Sequence, residues 1–522
     1  VIVVLRIIRL AATRIVRLAT AASLLSIGFS PASLYAQQAL PTGQPIAPAP
    51  IDPAIAGALQ QVSPDHIRAT IEKLVSFNNR STLSSMDTDL APHTGVSAAA
   101  DWIESEFKRY SAACGNCLEV KRDDFIEPAS TAPYSRITRP TKISNIYAIL
   151  RGSDPAQAPR MVLVTGHYDS RNTTNANTHD PAPGANDDAS GTAVSLESAR
   201  VLSQLKFPSS IVFVAVAGEE QGLNGSRHLA RLAKSEGWQL EAVLNNDIVG
   251  GDTTPGSTQP PNTPDKNAVR VFSEGVPATA TLEQLHAIQT LGAENDSPSR
   301  ELARAVADVS TTYFHTTSQH SPSSKFPPHV HNDMMRVIPS FHPVLIFRRD
   351  RFLRGGDHSS FNQEGFAAVR FTEWTENFNH QHQNVRVENG VQYGDLLQFV
   401  DFNYVANVTR LNAATLATLA AAPGVPQNVH VLTTDLDNNS EFTWDPPAGA
   451  PTGTTYQVVW RPTDQPLWTT YADAGSAHTL KLAVSKDNVV FAVRSVDAAG
   501  HRSIAVLPTP ERGPRPPAPP AR

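Results

Sequence analysis

Apolar residues recur at helical spacing in PDHIRATIEKLVSF, where Ile67, Ile71, Leu74 and Val75 fall on one face, and a second amphipathic helix follows in GVSAAADWIESEFKRYSAA. The pattern then changes to short, continuous apolar runs rich in β-branched residues. SNIYAIL, MVLVTGHYDS, IVFVAVAGEE and LEAVLNNDIVG read as buried strands, and SGTAVSLESARVLSQL and GSRHLARLAKSEG between them read as helices. VLIFRRD and FAAVRFTEW add two further strands, with the short DHSSFNQEG between them, and a closing helix runs from about Gly394 to Ala421. Strands that are apolar throughout, rather than at every second residue, are buried on both faces. The chain from residue 64 to 421 is therefore expected to form an α/β fold, a mostly parallel central sheet flanked by helices.

Beyond Ala421 the spacing of apolar runs becomes that of a small all-β sandwich. Trp444 followed by Pro446-Pro447, the strand carrying Tyr456, and the run from Val493 to His501 (VRSVDAAGH) resemble a fibronectin type III domain over residues 423–508. That resemblance implies a sandwich and says little about function; contact with a polymer or a surface is one use of such a domain. The Pro-rich residues 509–522 read as a disordered tail. At the other end, Arg6, Arg9, Arg14 and Arg17 precede an apolar stretch that closes on small residues. Residues 1–36 thus read as a signal peptide, too short in its apolar run for the ~20 residues of a membrane span. The Pro- and Ala-rich residues 37–63 read as a linker.

Composition narrows the chemistry. The chain has 43 basic and 49 acidic residues, and losing the leader's four arginines takes the formal charge from −6 to −10, so nucleic acid is not an expected partner. No integral membrane span is expected once the leader is removed. Two cysteines exclude a disulfide framework and an all-cysteine metal site, so any metal must be held by His and carboxylates. With a leader implying a secreted or periplasmic protein, Cys114 and Cys117 read as one short disulfide.

Nearly every strand of the α/β region ends in residues that ligate metals: His167 and Asp169, then Glu219 and Glu220, then Asp247, with Asp187 and Asp188 in the loop after the first of these strands. Sites in open α/β sheets form outside the carboxyl ends of the strands. So many acids in one cleft call for a cation. The segments from Gly166 to Ser170, from Gly184 to Gly191 and from Gly218 to Leu223, the pair Asn246-Asp247 and a late His resemble, in this order, the M28 family of zinc metallopeptidases. The resemblance implies two zinc ions: His167 and Asp247 on one, Glu220 and a late His on the other, and Asp187 (or Asp188) bridging. With three carboxylates, two Zn2+ and a bridging hydroxide, such a centre is close to neutral. It also implies Glu219 as the general base acting on a water shared by the metals, Asp169 behind His167, and Asp357 supporting the site from the start of a helix. For the late His, His380 is preferred over His382. The family's tyrosine before that His is replaced by Asn379, and its acid four residues on by Asn384.

The implied activity is hydrolysis of peptide or protein substrates, with aminopeptidase action as the default. Two other readings use the same scaffold: a one-zinc glutaminyl cyclase-like acyltransferase, and an inactive binding protein. His315, His320, His329 and His331 lie among Ser, Thr and Pro and read as a solvated loop, with a further metal site or a substrate-pocket rim as the alternatives.

Overall fold

The computed structural model describes residues 40–256, 265–314, 340–435 and 437–512. The leader expected over 1–36 and the four histidines from His315 to His331 lie outside the described residues. The described residues from Pro41 onward belong to one compact unit.

The stretch expected to be a linker is structured from its middle onward. Strand β1 (Gln44–Pro45) pairs antiparallel with strand Thr470–Gly475 of the C-terminal sandwich. Helix α1 (Pro53–Gln60) then begins where Asp52 accepts hydrogen bonds from the amides of Ala54 and Ile55, with Pro53 at the first helical position. Its Ile55 and Leu59 are buried in the main core. An eight-residue helix with five Pro, Ala and Gly residues and only two large apolar side chains, Ile55 and Leu59, carries a capping signal but a short apolar pattern, which is why composition alone reads it as extended.

Helices α2 (Pro64–Val75) and α3 (Gly95–Ala113) follow as expected. Cys114 and Cys117, just past α3, form a disulfide. The central sheet has eight strands: β2 (Leu118–Glu127), β3 (Thr141–Leu150), β4 (Arg160–His167), β5 (Ser210–Val216), β6 (Gln239–Asn246), β7 (Ala268–Ser273), β8 (His342–Ile346) and β9 (Ala368–Glu373), in the order β2-β3-β5-β4-β6-β9-β7-β8. The middle, β5-β4-β6-β9, is parallel; the β2-β3, β3-β5 and β9-β7 pairings are antiparallel. Parallel pairing is thus confined to the middle and to the β7-β8 pair, and the fold is mixed α/β.

The period of two along each strand separates two cores. Ile211, Phe213 and Ala215 of β5 join the larger, with α1 to α3, helix α4 (Ala189–Leu202) and the closing helix Phe402–Ala421. Val212, Val214 and Val216 join the smaller, with helix α5 (Asn224–Ser235) and the short helix His358–Gln363. Helices α6 (Leu282–Leu291) and α7 (Pro298–Tyr313) precede β8. Because β5 and β6 flank β4 on opposite sides, the chain changes direction across the sheet at β4. A crevice opens beyond its C-terminal end.

After the hairpin β10 (Arg386–Glu388) and β11 (Val391–Tyr393), which turns at Asn389-Gly390 with both φ angles positive, the closing helix leads into a sandwich. Its strands are β12 (Gln427–Leu432), β13 (Ser440–Asp445), β14 (Thr455–Pro462), β15 (Thr470–Gly475), β16 (Thr479–Leu482), β17 (Val489–Val496) and β18 (Thr509–Glu511). They form the sheets β16-β13-β12-β18 and β1-β15-β14-β17 around Phe442, Trp444, Tyr456 and Phe491. Residues 509–511 of the expected tail are therefore part of a sheet, and residues 513–522 lie outside the described residues. The sandwich docks on α7 through charge: Asp308 pairs with Arg494 at 3.0 Å and Arg502 at 2.9 Å, Asp296 pairs with Arg461, and Trp468 Nε1 donates to Glu301 at 3.1 Å. Among the described residues no helix is long and apolar enough to cross a membrane.

Candidate metal centre

Two glycines bring the site together. A Cβ on Gly166 would lie 2.3 Å from the Gly191 backbone, and one on Gly191 would lie 2.2 Å from the carbonyl oxygen of Asn246. Their absence lets the first turn of α4 press against the ends of β4 and β6, which sets Asp187 and Asp188 beside His167. The Asp187–Asp188 peptide bond is cis. The carboxylate of Asp188 accepts from the amides of His167 (3.0 Å), Gly191 (2.9 Å) and Ile248 (3.2 Å), joining three segments and leaving Asp187 to face the crevice.

Asp187 sits between two histidines. Its Oδ1 lies 3.2 Å from His167 Nε2 and its Oδ2 lies 2.9 Å from His382 Nε2; His382 Nε2 is in turn 3.1 Å from Glu220 Oε2, and His167 Nε2 is 3.9 Å from Asp247 Oδ1. Two clusters of potential ligands result, one of His167, Glu219 and Asp247, the other of Asp187, Glu220 and His382. Behind them, Asp169 holds the frame. Its carboxylate lies 3.4 Å from His167 Nδ1, accepts from Thr82 Oγ1 at 3.0 Å, and accepts from the amides of Glu219 and Glu220 at 3.4 and 3.3 Å.

The expectation for the late histidine is corrected here. His380 is turned away: its Nδ1 pairs with Asp252 and its ring stacks on Phe399 with centroids 3.7 Å apart. The amides of His380 and Gln381 both bond to the carbonyl of Asn377, and His382 follows in the left-handed region at φ 57°, which swings its ring into the cluster.

The profile of peptidase family M28 matches residues 145–297. A probable zinc metalloprotease of Pyrenophora teres f. teres is 42% identical over 470 residues, covering 90% of this chain and 89% of the relative. The chain belongs to the M28 family of zinc metalloproteases. Among solved structures, the LapA aminopeptidase of Legionella pneumophila aligns over 72% of this chain and 78% of its own, with a TM-score of 0.43 and 20% identity. A glutaminyl cyclase of Porphyromonas gingivalis aligns over 68% and 97%, at 0.40 and 17%.

The donor set of this metalloprotease fits zinc. Each cluster offers three ligand atoms within 4.8 Å of one another, and ligand atoms ~2.0–2.2 Å from one tetrahedral zinc fall roughly 3–4 Å apart. The buried His167 Nε2, although near Asp187, makes no hydrogen bond, and neither does the buried Glu220 Oε1; each cluster thus has one buried donor atom free to point at an ion. Charge supports the same fit. Burial lowers His167 and His382, but the carboxylates around them outweigh it, raising His167 well above the ordinary imidazole range and His382 to about 10. Burial raises Asp187, yet the two histidines bring it well below the usual range. Burial also pushes Glu219 well above its ordinary value and Asp357 to about 7. Without metal, protons on the two imidazoles hold the carboxylates together; a metal would take their place.

Several residues that build the metalloprotease's site have no signal in the sequence. Arg370, fully buried, forms an ion pair with Asp247 Oδ1 at 2.8 Å and donates to the Asp247 carbonyl at 3.3 Å. Asp395 accepts from the amides of Asn186 at 2.9 Å and Asp187 at 2.7 Å, and Gln381 Nε2 donates to Asp187 Oδ2 at 3.0 Å. Arg80 donates to four backbone carbonyls, those of Leu74, Tyr168, Pro183 and Gly184, and so ties the loop between His167 and Asp187 to α2. Arg80→Met keeps the bulk but orphans these carbonyls. At ~1 kcal/mol or more for each buried group left unpaired, it is expected to cost about 3 kcal/mol or more in urea unfolding. A midpoint equal to the parent's would show that the loop is held by other means. Asn379 and Asn384 stand off the crevice: Asn379 is buried in the turn, and Asn384 accepts from the amide of Thr173 at 3.2 Å. The crevice itself, about 440 Å3, is walled by Tyr134, Arg136, Leu223, Leu353 and Arg354 around the two clusters.

Proposed function

We propose that this chain hydrolyses peptide bonds at a pair of zinc ions, one held by His167 and Asp247, the other by Glu220 and His382, with Asp187 shared between them. Asp187 carries this reading, since each of its oxygens addresses a different histidine, at 3.2 and 2.9 Å. Zinc in such a site would polarise the scissile carbonyl and lower the pKa of water. Glu219, half-buried at the end of β5, accepts a proton from the attacking water and passes it to the leaving amine. Asp169 keeps His167 and the Glu219-Glu220 backbone in register. The presence of a second cluster favours this reading over a one-zinc cyclase.

The finer reading, removal of N-terminal residues by a secreted enzyme, rests on the family resemblance, the basic-apolar leader and the Cys114–Cys117 disulfide. The C-terminal sandwich reads as a fibronectin type III-like accessory domain, on its two sheets and its Trp444-Tyr456 core. Dialysis against a chelator is expected to abolish peptide hydrolysis, and zinc should restore it at two ions per chain. Hydrolysis by metal-free protein would refute the reading; full recovery at one ion per chain would return the single-zinc alternative. N-blocked peptides cleaved as fast as free ones would refute aminopeptidase action.

A further inference from the structure

The acids in the wall of the crevice are Asp187, Glu219, Glu220 and Asp247, and all four belong to the two ligand clusters. The other charged groups in the wall are arginines. Arg351 is buried and engaged with Glu376, Asp350 and the carbonyl of Gly355, and Arg354 is bonded to Glu376 at 2.7 Å. Arg136 differs. Its Nη1 donates to the backbone carbonyl of Glu220 at 2.7 Å, and among the described residues no carboxylate pairs with it. One donor of the five on its guanidinium is thereby fixed beside the metal cluster, and the rest are left for another acceptor.

The segment carrying Arg136 is fastened on both sides. Ile137 is buried and its carbonyl accepts from Ser130; the carbonyl of Arg136 accepts from Asn175 Nδ2 at 3.0 Å; Arg139 donates to the carbonyl of Leu83 at 2.7 Å and pairs with Asp87 at 2.6 Å. The guanidinium is therefore presented by a pinned loop. A planar fork of free donors matches a carboxylate in two-bond geometry.

We propose that Arg136 binds a carboxylate of the substrate. The inference rests on the two-zinc reading: with two divalent ions offsetting the four wall acids, the rim is left net positive, and a peptide bearing negative charge at that end is drawn into the crevice. Of the wall acids, Asp187, Glu220 and Asp247 are assigned to the ions and Glu219 to proton transfer, which leaves Arg136 as the charged group of the wall with no assigned partner. The carboxylate belongs to the C-terminus of a short peptide or to an acidic side chain, and the two sources are separable.

The test uses peptides that differ only in a C-terminal acid or carboxamide, and a second pair differing only in Glu or Gln. The zinc-loaded parent is expected to favour one acid over its amide by about tenfold in kcat/KM, the gain typical of a hydrogen-bonded charge. The pair showing the preference names the source. Arg136→Gln should bring that ratio to about one, Arg136→Lys should keep part of it, and added salt should shrink it. Calorimetric binding of the same peptides to Glu219→Gln protein reads the contrast in Kd without turnover. Equal binding and hydrolysis of acid and amide by the parent would overturn the proposal, as would a tenfold preference that survives Arg136→Gln. Absence of hydrolysis of every peptide would instead strike the peptidase reading, and the Kd contrast would still decide the role of Arg136.

Discussion

Glu219→Gln is expected to lower kcat by about two to four orders of magnitude while the protein keeps both zinc ions and its affinity for peptide. The substitution preserves shape and removes only the ability to take a proton. The expectation depends on Glu219 and its neighbour Glu220 having different tasks, and the local geometry gives a reason. Both amides donate to Asp169, so the backbone is fixed, and the two side chains diverge: Glu220 is buried against His382, while Glu219 is half-buried beside His167 and Asp247 and borders the crevice. Burial and the neighbouring Asp247 and Glu220 push the Glu219 carboxyl toward protonation, although His167 opposes them; a nearby cation would return it to the carboxylate that a base requires. Glu220→Gln, by contrast, should lose zinc. Metal content by mass spectrometry and single-turnover rates on the two variants decide the matter. Parent-like kcat in Glu219→Gln would move the base elsewhere, and loss of zinc would make Glu219 a ligand.

The parts of the site that could be read from the sequence are those fixed by strand ends. His167, Glu219, Glu220 and Asp247 each follow an apolar run long enough to be recognised, and a parallel sheet delivers such ends to one edge whatever the strand order. The order itself, and the antiparallel β2, were not legible. LEVKRDDFIE has charges on both faces of an edge strand, and only its pairing with β3 along ten residues makes it a strand. Arg80, Arg370 and Asp395 were invisible for a related reason. They act on backbone groups or carboxylates about 90 to more than 200 residues away, and a polar residue gives no periodic signal of such a partner. The sequence does not separate His380 from His382, because the two lie on an aperiodic turn, where one positive φ decides which ring faces the acids.

That turn gives the second large effect. His382→Ala should cost the zinc shared by Glu220 and Asp187 and reduce peptide hydrolysis about a hundredfold or more, since groups that merely support a ligand are worth ~10–100-fold. His380→Ala should retain two zinc ions per chain. The His380 ring is committed to Asp252 and to the face of Phe399, and Asp252 also accepts from the amide and hydroxyl of Thr254 at 2.9 and 2.6 Å. Removing His380 therefore takes away a stacked, hydrogen-bonded wedge beneath the turn, with an expected loss of about 1–3 kcal/mol in unfolding free energy and a correspondingly lower Tm. The two variants should separate cleanly: metal stoichiometry falls in one, thermal stability in the other. The reverse pattern, zinc lost with His380 and kept without His382, would mean that the loaded enzyme rearranges the turn from Asn377 to Gln383, and the proposed ligand set would have to be redrawn around His380.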